Sequence, residues 1–350
     1  MTPAAPPRRH GAREVPRRIR WLGGGVSVDD IHGELDRLHR AAGGPGRVLA
    51  LARTLNLVVV PCSERTQRGV ERALDRLGSH TPSRTLVLRE HGAPRVDADL
   101  VMECDTPAVA GHVGLCHDRV VLSMDQPRLA HSASLLASLV VTDLPTVLWL
   151  PEPRSEIPDP GLLDRAQQAL VDSGGGGTAA LRRIAELSNR IRVHDLAWGR
   201  LEYWRAATAA AFDPPENRRL LPRTRSVDLR YEERGLAAAL LLAGWIAARA
   251  GWRTNGMERR NGHVSMRAVR PDGVEVAIRL REASGDEGCG GVDALTFHGE
   301  SAGEEVAVSR GGATSSLRDL FPEALQPQPS FSRGYAAAVA AALSMTEVER

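Results

Sequence analysis

Four side chains that could bind a metal ion lie close together near the middle of the chain. Cys104, His112, Cys116 and His117 fall within 14 residues, and thiolate and imidazole groups are common ligands of zinc. The adjacent residues Cys116 and His117, however, would point to opposite faces of a strand, so one strand cannot easily aim both side chains at one ion. The four cysteines of the chain show no Cys-x-x-Cys spacing, which disfavours a disulfide framework or a redox role. We therefore predict no metal site.

The sequence also lacks the motifs of nucleotide and acyl chemistry. Lys and Arg together number 45 and every one is Arg, which excludes a Schiff base and a P-loop. This bias either favours bidentate pairing of anions or reflects codon use in a GC-rich genome. The glycine cluster at 43–46 precedes a strand instead of following one, so it is not a dinucleotide fingerprint. We find no Gly-x-Ser-x-Gly motif and predict no catalytic residue and no cofactor.

The densest cluster of aromatic and arginine residues lies between positions 198 and 205. This segment holds three aromatic and two arginine residues, in a chain that is 4% aromatic. Asp195 is a suitable N-cap for a helix that continues to Phe212. One stripe of this helix predicts a core face, and it contains Ala197, Leu201, Trp204, Thr208 and Ala211.

The neighbouring stripe of the same helix permits two interpretations. The tryptophans could pack the helix on a sheet, or the stripe could form an interface, because Trp, Tyr and Arg dominate binding hot spots. The predicted partner-binding residues are Trp198, Arg200, Tyr203 and Arg205.

The elements around this helix indicate an α/β fold. The run 146–150 is continuously apolar and bounded by Pro145 and Pro151, as in a strand covered on both faces. Residues 55–60 and 83–88 form two more such runs, separated by a helical pattern, and a βαβ unit implies parallel pairing. Ser27 and Asp30 suit the N-cap of an earlier helix. Other patterns predict strands at 99–104, 119–124 and 168–172 and a helix from Pro127 to Val141. We expect a largely parallel sheet with helices on both faces.

The second half of the chain has a different pattern. An apolar helix at 235–250 is followed by alternating strands at 264–269, 274–280, 294–298 and 306–309. Together with a strand at 226–231 they predict a second α+β domain with a mostly antiparallel sheet. The predicted domains are a disordered basic tail at 1–25, an α/β domain at 26–216, an α+β domain at 220–325, and a Pro-rich linker with a C-terminal helix at 326–350.

Charge and hydropathy restrict the partners. The formal net charge of +2 gives no strong field for nucleic acid or anionic lipid. The basic tail has no apolar segment of the kind found in secretory signals, and a nucleic-acid-binding arm is the less favoured interpretation of it. No uninterrupted apolar run reaches the 18 residues of a membrane span. We therefore expect a cytoplasmic protein that binds no membrane.

Several short motifs follow one another through the chain. They are Pro82-Ser83-Arg84, Asp143-Leu144-Pro145 leading to Trp149, Asp195-Leu196-Ala197-Trp198 with Arg200-Leu201 and Trp204-Arg205, and Leu241-Leu242-Ala243-Gly244-Trp245 with Gly251-Trp252. Their order and spacing resemble the OpcA family of glucose-6-phosphate dehydrogenase assembly proteins. The sequence departs from the family pattern at Leu148, in the usual pair of tryptophans, and at Tyr203, where the family has proline. These departures indicate a divergent paralogue.

Two functional hypotheses follow. The resemblance implies a non-enzymatic factor that binds glucose-6-phosphate dehydrogenase and favours its active oligomer or conformation, in the oxidative pentose phosphate pathway, by a coupling free energy. The alternative is an α/β enzyme or small-ligand-binding protein with a site at the carboxyl ends of its parallel strands.

Overall fold

The computed structural model describes ten segments of the chain. They are residues 17–42, 49–51, 53–77, 81–105, 114–152, 156–260, 263–283, 291–309, 324–325 and 333–346. By its internal contacts the chain divides into two compact units. Unit 1 is Met1–Pro61, Leu74–Thr146 and Pro158–Arg165, and unit 2 is Cys62–Ala73, Val147–Ile157 and Ala166–Arg350. Residues of the expected 26–216 domain thus occur in both units.

Unit 1 contains the first six strands that the structure describes. Its elements are β1 (Arg17–Gly23), α1 (Val28–Ala42), β2 (Leu49–Leu51), β3 (Leu55–Val59), β4 (Ser83–Glu90), β5 (Asp97–Asp105), β6 (Gly114–Met124), α3 (Gln126–Leu129), α4 (Ser132–Leu139) and α5 (Gly161–Arg165). The chain passes between the units within α2 (Glu64–Leu77) and β7 (Thr146–Leu150). The strand order in unit 1 is β1-β5-β6-β4-β3, with β2 also paired to β6.

The predicted parallel pairing is confirmed. β3 pairs parallel with β4, and β4 pairs parallel with β6. All five residues of β3 are buried, as are all five of β7, so successive side chains on both faces of these strands are covered. The strands predicted near 99–104 and 119–124 are β5 and β6, and they are antiparallel. The fold is α/β, with a mostly parallel sheet and associated helices.

Unit 2 continues with parallel strands and then changes character. Its remaining elements are β8 (Gln168–Val171), α6 (Gly177–Ser188), β9 (Arg192–Asp195), α7 (Leu196–Arg200), α8 (Glu202–Ala211), α9 (Pro215–Arg218), a 3-10 turn (Leu221–Arg223), β10 (Ser226–Tyr231), α10 (Leu236–Ala250), β11 (Arg253–Arg260), β12 (His263–Val269), β13 (Glu275–Glu282), β14 (Val292–His298), β15 (Glu305–Ser309) and α11 (Arg333–Thr346). β7, β8 and β9 pair parallel.

The second sheet confirms the expected mostly antiparallel arrangement. Its order is β11-β12-β13-β10-β14-β15, and of these neighbours β10 and β13 pair parallel while the others are antiparallel. The alternating burial of β15 and of most of β13 places their apolar side chains on one face. Helix α10 packs against this sheet and against α11. A Cβ at Gly244 would collide with the backbone oxygen of Ala338, so glycine permits the close approach of these two helices.

The N-terminal region differs from the expectation. Residues 1–25 were expected to be disordered, yet β1 pairs antiparallel with β5 from Arg17 to Gly23. The backbone ladder with β5 orders this segment, and charge pairs lie along it: Arg20 Nε donates to Asp99 at 2.7 Å, and Arg18 lies 3.2 Å from Glu103. The basic composition that suggested a tail therefore matches acidic residues on the neighbouring strand. Residues 1–16 lie outside the described residues, as does the linker 326–332.

The structure also differs from expectation in the helix after β6 and in the pairing of two cysteines. The helix expected from Pro127 to Val141 is two short helices, α3 and α4, interrupted at Ala130 and His131. Cys104 and Cys116 form a disulfide across the β5–β6 pair. The sequence spacing gave no sign of this bond, because strand register brings the two cysteines opposite each other.

A fully buried carboxylate in unit 1 is neutralised by arginines. Asp118 on β6 is 0% exposed. Arg53 Nη2 and Arg84 Nη2 each donate to its Oδ2 at 2.6 Å. Arg84 also donates from Nη1 to the carbonyl oxygen of Leu139 at 2.9 Å, so this ion-pair network links β4, β6 and the end of α4.

Candidate partner-binding surface

The aromatic and arginine cluster lies directly after β9, and Asp195 determines where the helix begins. Asp195 caps α7 by accepting a hydrogen bond from the backbone N–H of Ala197 at 3.0 Å, as predicted. The expected single helix is interrupted at Leu201, which separates α7 from α8. Four residues of the predicted core stripe are buried, namely Ala197, Leu201, Trp204 and Thr208, whereas Ala211 at the end of the stripe is only half-buried.

Trp198 and Arg205 come together across this interruption. The guanidinium carbon of Arg205 lies 3.8 Å from the centre of the Trp198 ring, an arrangement that gives a favourable cation–π interaction. Arg205 Nη1 also donates to the carbonyl oxygen of Trp198 at 2.6 Å. Burial lowers the pKa of the Arg205 guanidinium to about 10, while the charge of Glu202 acts in the opposite direction. The arginine is half-buried and remains protonated at neutral pH.

The other side of Trp198 contacts the C-terminal helix. The ring of Tyr335 on α11 meets that of Trp198 edge-on, with centroids 5.3 Å apart and an interplanar angle of 65°. The Tyr335 hydroxyl donates to Asp195 Oδ2 at 2.9 Å. Trp198 is therefore held between an arginine from α8 and a tyrosine 137 positions later in the sequence.

Asp195 is a buried carboxylate surrounded by uncharged donors. Ser173 donates to it from both its backbone N–H, at 3.0 Å, and its hydroxyl, at 2.7 Å. Burial and the nearby carboxylate of Asp172 raise the pKa of Asp195, against the effect of these donors. Burial and the adjacent Asp195 carboxylate raise the pKa of Tyr335 well above its usual value.

The remaining two predicted residues have other neighbours. Arg200 forms an ion pair with Asp172 at the end of β8. Tyr203 is 43% exposed, and its hydroxyl donates to the carbonyl oxygen of Ser309 at 3.1 Å. The structure thus brings Trp198 and Arg205 together, while Arg200 and Tyr203 extend the surface in other directions.

The sequence analysis missed the buried polar partners of this surface. Ser173 follows a predicted strand and precedes a glycine run, and Tyr335 is the one aromatic residue in the alanine-rich stretch 334–344. These are weak signals, because neither position has a neighbour in sequence that reveals its contact with Asp195. The metal-ligand candidates separate: Cys104 and Cys116 form the disulfide, His117 lies 3.3 Å from Glu103, and His112 is outside the described residues. Within the described segments no group of three potential metal ligands occurs.

Family models match two long parts of the chain. Residues 74–188 match the model described as the glucose-6-phosphate dehydrogenase subunit N-terminal domain, and residues 191–332 match the corresponding C-terminal domain. The chain belongs to the OpcA family. Within this OpcA chain, α7 and α8 lie inside the C-terminal match, whereas Tyr335 lies three positions beyond it.

Two curated relatives carry the same family name and are named for the OxPP cycle. The OpcA protein of Synechocystis sp. is 27% identical over 238 residues, which cover 65% of this chain and 48% of the relative. That of Synechococcus elongatus is 26% identical over 270 residues, covering 68% of this chain and 60% of the relative. The matched regions therefore span about half to three fifths of these OpcA relatives.

Solved structures with a similar backbone include dehydrogenases. Glucose-6-phosphate 1-dehydrogenase from Mycobacterium avium has a TM-score of 0.48 at 12% identity, covering 84% of this chain and 91% of that one. GenD2 from gentamicin A biosynthesis, solved with NAD, has a TM-score of 0.45 at 13% identity, covering 86% and 96%. At these values the likeness supports no functional argument. Among the helices that the structure describes, none has the length and apolar character of a membrane span.

Proposed function

We propose that this chain is a non-enzymatic, cytoplasmic factor that binds glucose-6-phosphate dehydrogenase and favours its active oligomer or conformation. The match of both halves of the chain to models of the dehydrogenase subunit carries the proposal. Preferential binding to the active form would stabilise that form by mass action, without any chemical step in the bound factor.

The surface formed by α7 and α8 is the proposed contact. Trp198, Arg200, Tyr203 and Arg205 are the proposed contact residues. The types Trp, Tyr and Arg are enriched among residues that dominate binding energies. Tyr203 is one of two large hydrophobic side chains that are exposed in the described residues, the other being Leu22.

The acidic groups near the carboxyl ends of β8 and β9 are already engaged by other side chains, which favours this proposal over the enzyme alternative. Asp195 is buried and accepts bonds from Ser173, Ala197 and Tyr335. Asp172 pairs with Arg200. A general base must reach the substrate proton, and an enclosed carboxylate with these partners is poorly placed to do so.

The test measures activity with and without the dehydrogenase. The purified chain alone should not reduce NADP⁺ with glucose 6-phosphate, whereas its addition to the cognate dehydrogenase should raise kcat or lower the KM for glucose 6-phosphate. Turnover by the chain alone, in proportion to its concentration, would overturn the non-enzyme proposal. If the chain neither binds nor activates the dehydrogenase, the dehydrogenase is not its partner.

A pair of variants tests the surface. Tyr203→Ala removes an exposed aromatic group from α8 and should weaken binding, while Leu22→Ala removes an exposed apolar group from β1 and serves as the matched control. Equal effects of the two changes on the affinity, measured on preparations with the same melting temperature, would exclude Tyr203 from the interface.

A further inference from the structure

Arg205 has no carboxylate partner in the described residues, in contrast to two arginines of low exposure. Arg84 is 7% exposed and pairs with Asp118, and Arg270 is 5% exposed and pairs with Asp272. Arg205 is half-buried, and its polar contacts in the described segments are the carbonyl oxygen and the ring of Trp198. Glu202 affects Arg205 through its charge, without forming an ion pair.

The donors of Arg205 are largely unused. A guanidinium carries five N–H groups in a planar fork and accepts no hydrogen bond. One nitrogen, Nη1, donates to Trp198, while Nε and Nη2 have no acceptor among the described residues. Desolvation of such a cation is costly unless a compensating charge is supplied. The unused edge of the fork is thus suited to an anionic acceptor.

The orientation of the fork is fixed before any ligand arrives. One face of the guanidinium lies on the Trp198 ring at 3.8 Å, and Tyr335 contacts that ring edge-on. Tyr335 is itself held by its hydrogen bond to Asp195. Less side-chain entropy is lost on binding when a group is already held in its bound orientation.

We infer that Arg205, lying on Trp198, is a receptor for a carboxylate side chain of a protein partner, an Asp or Glu that accepts a bidentate pair of hydrogen bonds. The inference rests on the proposed function, since the partner is taken to be the dehydrogenase. A planar carboxylate matches the geometry of the guanidinium fork. A protein group is favoured over a free anion because half-buried Trp198 and exposed Tyr203 provide apolar area beside the charge, and such area favours a partner that excludes water.

The experiment measures the affinity of the full chain for the cognate dehydrogenase at several sodium chloride concentrations. Arg205→Gln should weaken binding by more than about tenfold, as expected for loss of a buried arginine anchor, and should reduce the dependence of affinity on salt. Arg205→Lys keeps the charge but loses the planar fork, so it should also weaken binding. Arg219→Gln is the matched control: Arg219 is exposed and is not a proposed contact residue, so its removal should leave the affinity within about twofold, as for an ordinary surface substitution.

Each outcome decides the inference. If the wild-type chain binds and Arg205→Gln binds equally well with the same salt dependence, the receptor is refuted while the proposed function stands. If the wild-type chain does not bind the dehydrogenase, both the proposed function and the carboxylate receptor are refuted. If inorganic phosphate, at constant ionic strength, displaces the partner from the wild-type chain but not from Arg205→Gln, the fork accepts an anion of the partner and the inference is supported. If phosphate instead tightens binding by the wild-type chain, the fork holds a free phosphate and the carboxylate is refuted. If a variant has a lowered melting temperature, its affinity is calculated from the concentration of folded protein. An affinity equal to that of the wild type would then also refute Arg205 as the carboxylate receptor.

Discussion

The two units each bury an aspartate, and they satisfy it by opposite means. Asp118 in unit 1 is held by the guanidinium groups of Arg53 and Arg84. Asp195 in unit 2 is held by backbone N–H groups and by the hydroxyls of Ser173 and Tyr335. The arginines balance the negative charge of Asp118 with positive charge. The partners of Asp195 supply hydrogen bonds but no positive charge, and burial raises the pKa of Asp195.

The two sets of partners differ in whether they can accommodate a neutral residue in place of the aspartate. A guanidinium can donate hydrogen bonds but cannot accept them, so the Asp118 site requires an acceptor with negative charge. A hydroxyl can rotate and accept a bond instead of donating one. The Asp195 site should therefore tolerate a neutral residue, while the Asp118 site should not.

The largest effect is expected for Asp118→Asn. The variant leaves the buried Arg84 and the partly buried Arg53 without a negative charge and turns an amide N–H₂ toward donors, so the free energy of unfolding should fall by about 3–5 kcal/mol. Denaturant unfolding measures it. Asp99→Asn, which breaks the exposed pair with Arg20, is the control and should cost about 0–1 kcal/mol. Similar losses in both variants would show that the burial of Asp118 does not set the cost.

A smaller loss is expected for Tyr335→Phe. The change keeps the ring against Trp198 and removes one donor from the Asp195 carboxylate, which should cost about 1–3 kcal/mol. Tyr203→Phe removes the hydroxyl of an exposed tyrosine and should change stability by about 0.5 kcal/mol or less. Thermal melting of the two variants side by side tests whether the buried hydroxyl matters. A neutral outcome for Tyr335→Phe would mean that the other donors suffice.

The smallest effect is expected for Asp195→Asn. Its carbonyl oxygen can accept from the two backbone N–H groups while its amide donates to the two hydroxyls, so the cost should be about 1 kcal/mol or less, the net value of one hydrogen bond. A loss as large as that of Asp118→Asn would break the comparison between the two sites.

The pH dependence of the same variant sharpens the comparison. Because the pKa of Asp195 is raised in the folded state, the folded protein holds this proton to higher pH than the unfolded chain does. The stability of the wild type relative to Asp195→Asn should be greatest below about pH 4, the ordinary aspartate range, and should decline as pH rises through the folded-state pKa. Unfolding at a series of pH values gives this difference directly, and a difference that grows with pH would contradict the raised pKa.

Local patterns in the sequence predicted much of the fold. Three local predictions are confirmed: the buried strand β7, the capping pair of Ser27 and Asp30, and the burial of Trp204 on the core side of its helix. In each case the deciding interaction lies within a few residues, or the pattern reports burial directly. β1 was missed because its backbone pairs with β5, some 80 positions later.

The candidate surface was only partly predictable for the same reason. The residue types at 198–205 indicated an interface, but helical spacing could not reveal the interruption at Leu201 or the hydrogen bond from Arg205 to Trp198. The Asp195–Tyr335 bond and the Cys104–Cys116 disulfide arise from tertiary register. No local propensity specifies contacts of that kind.

The bond between Tyr335 and Asp195 has a consequence for synthesis of the chain. The two residues are 140 positions apart, and at roughly 5–20 residues per second a ribosome needs on the order of ten seconds to add that length. Throughout this interval Trp198 is already translated but lacks its tyrosine neighbour, and the aspartate lacks a donor. The packing of Trp198 and the hydrogen bonding of Asp195 can therefore be completed only after α11 has been translated.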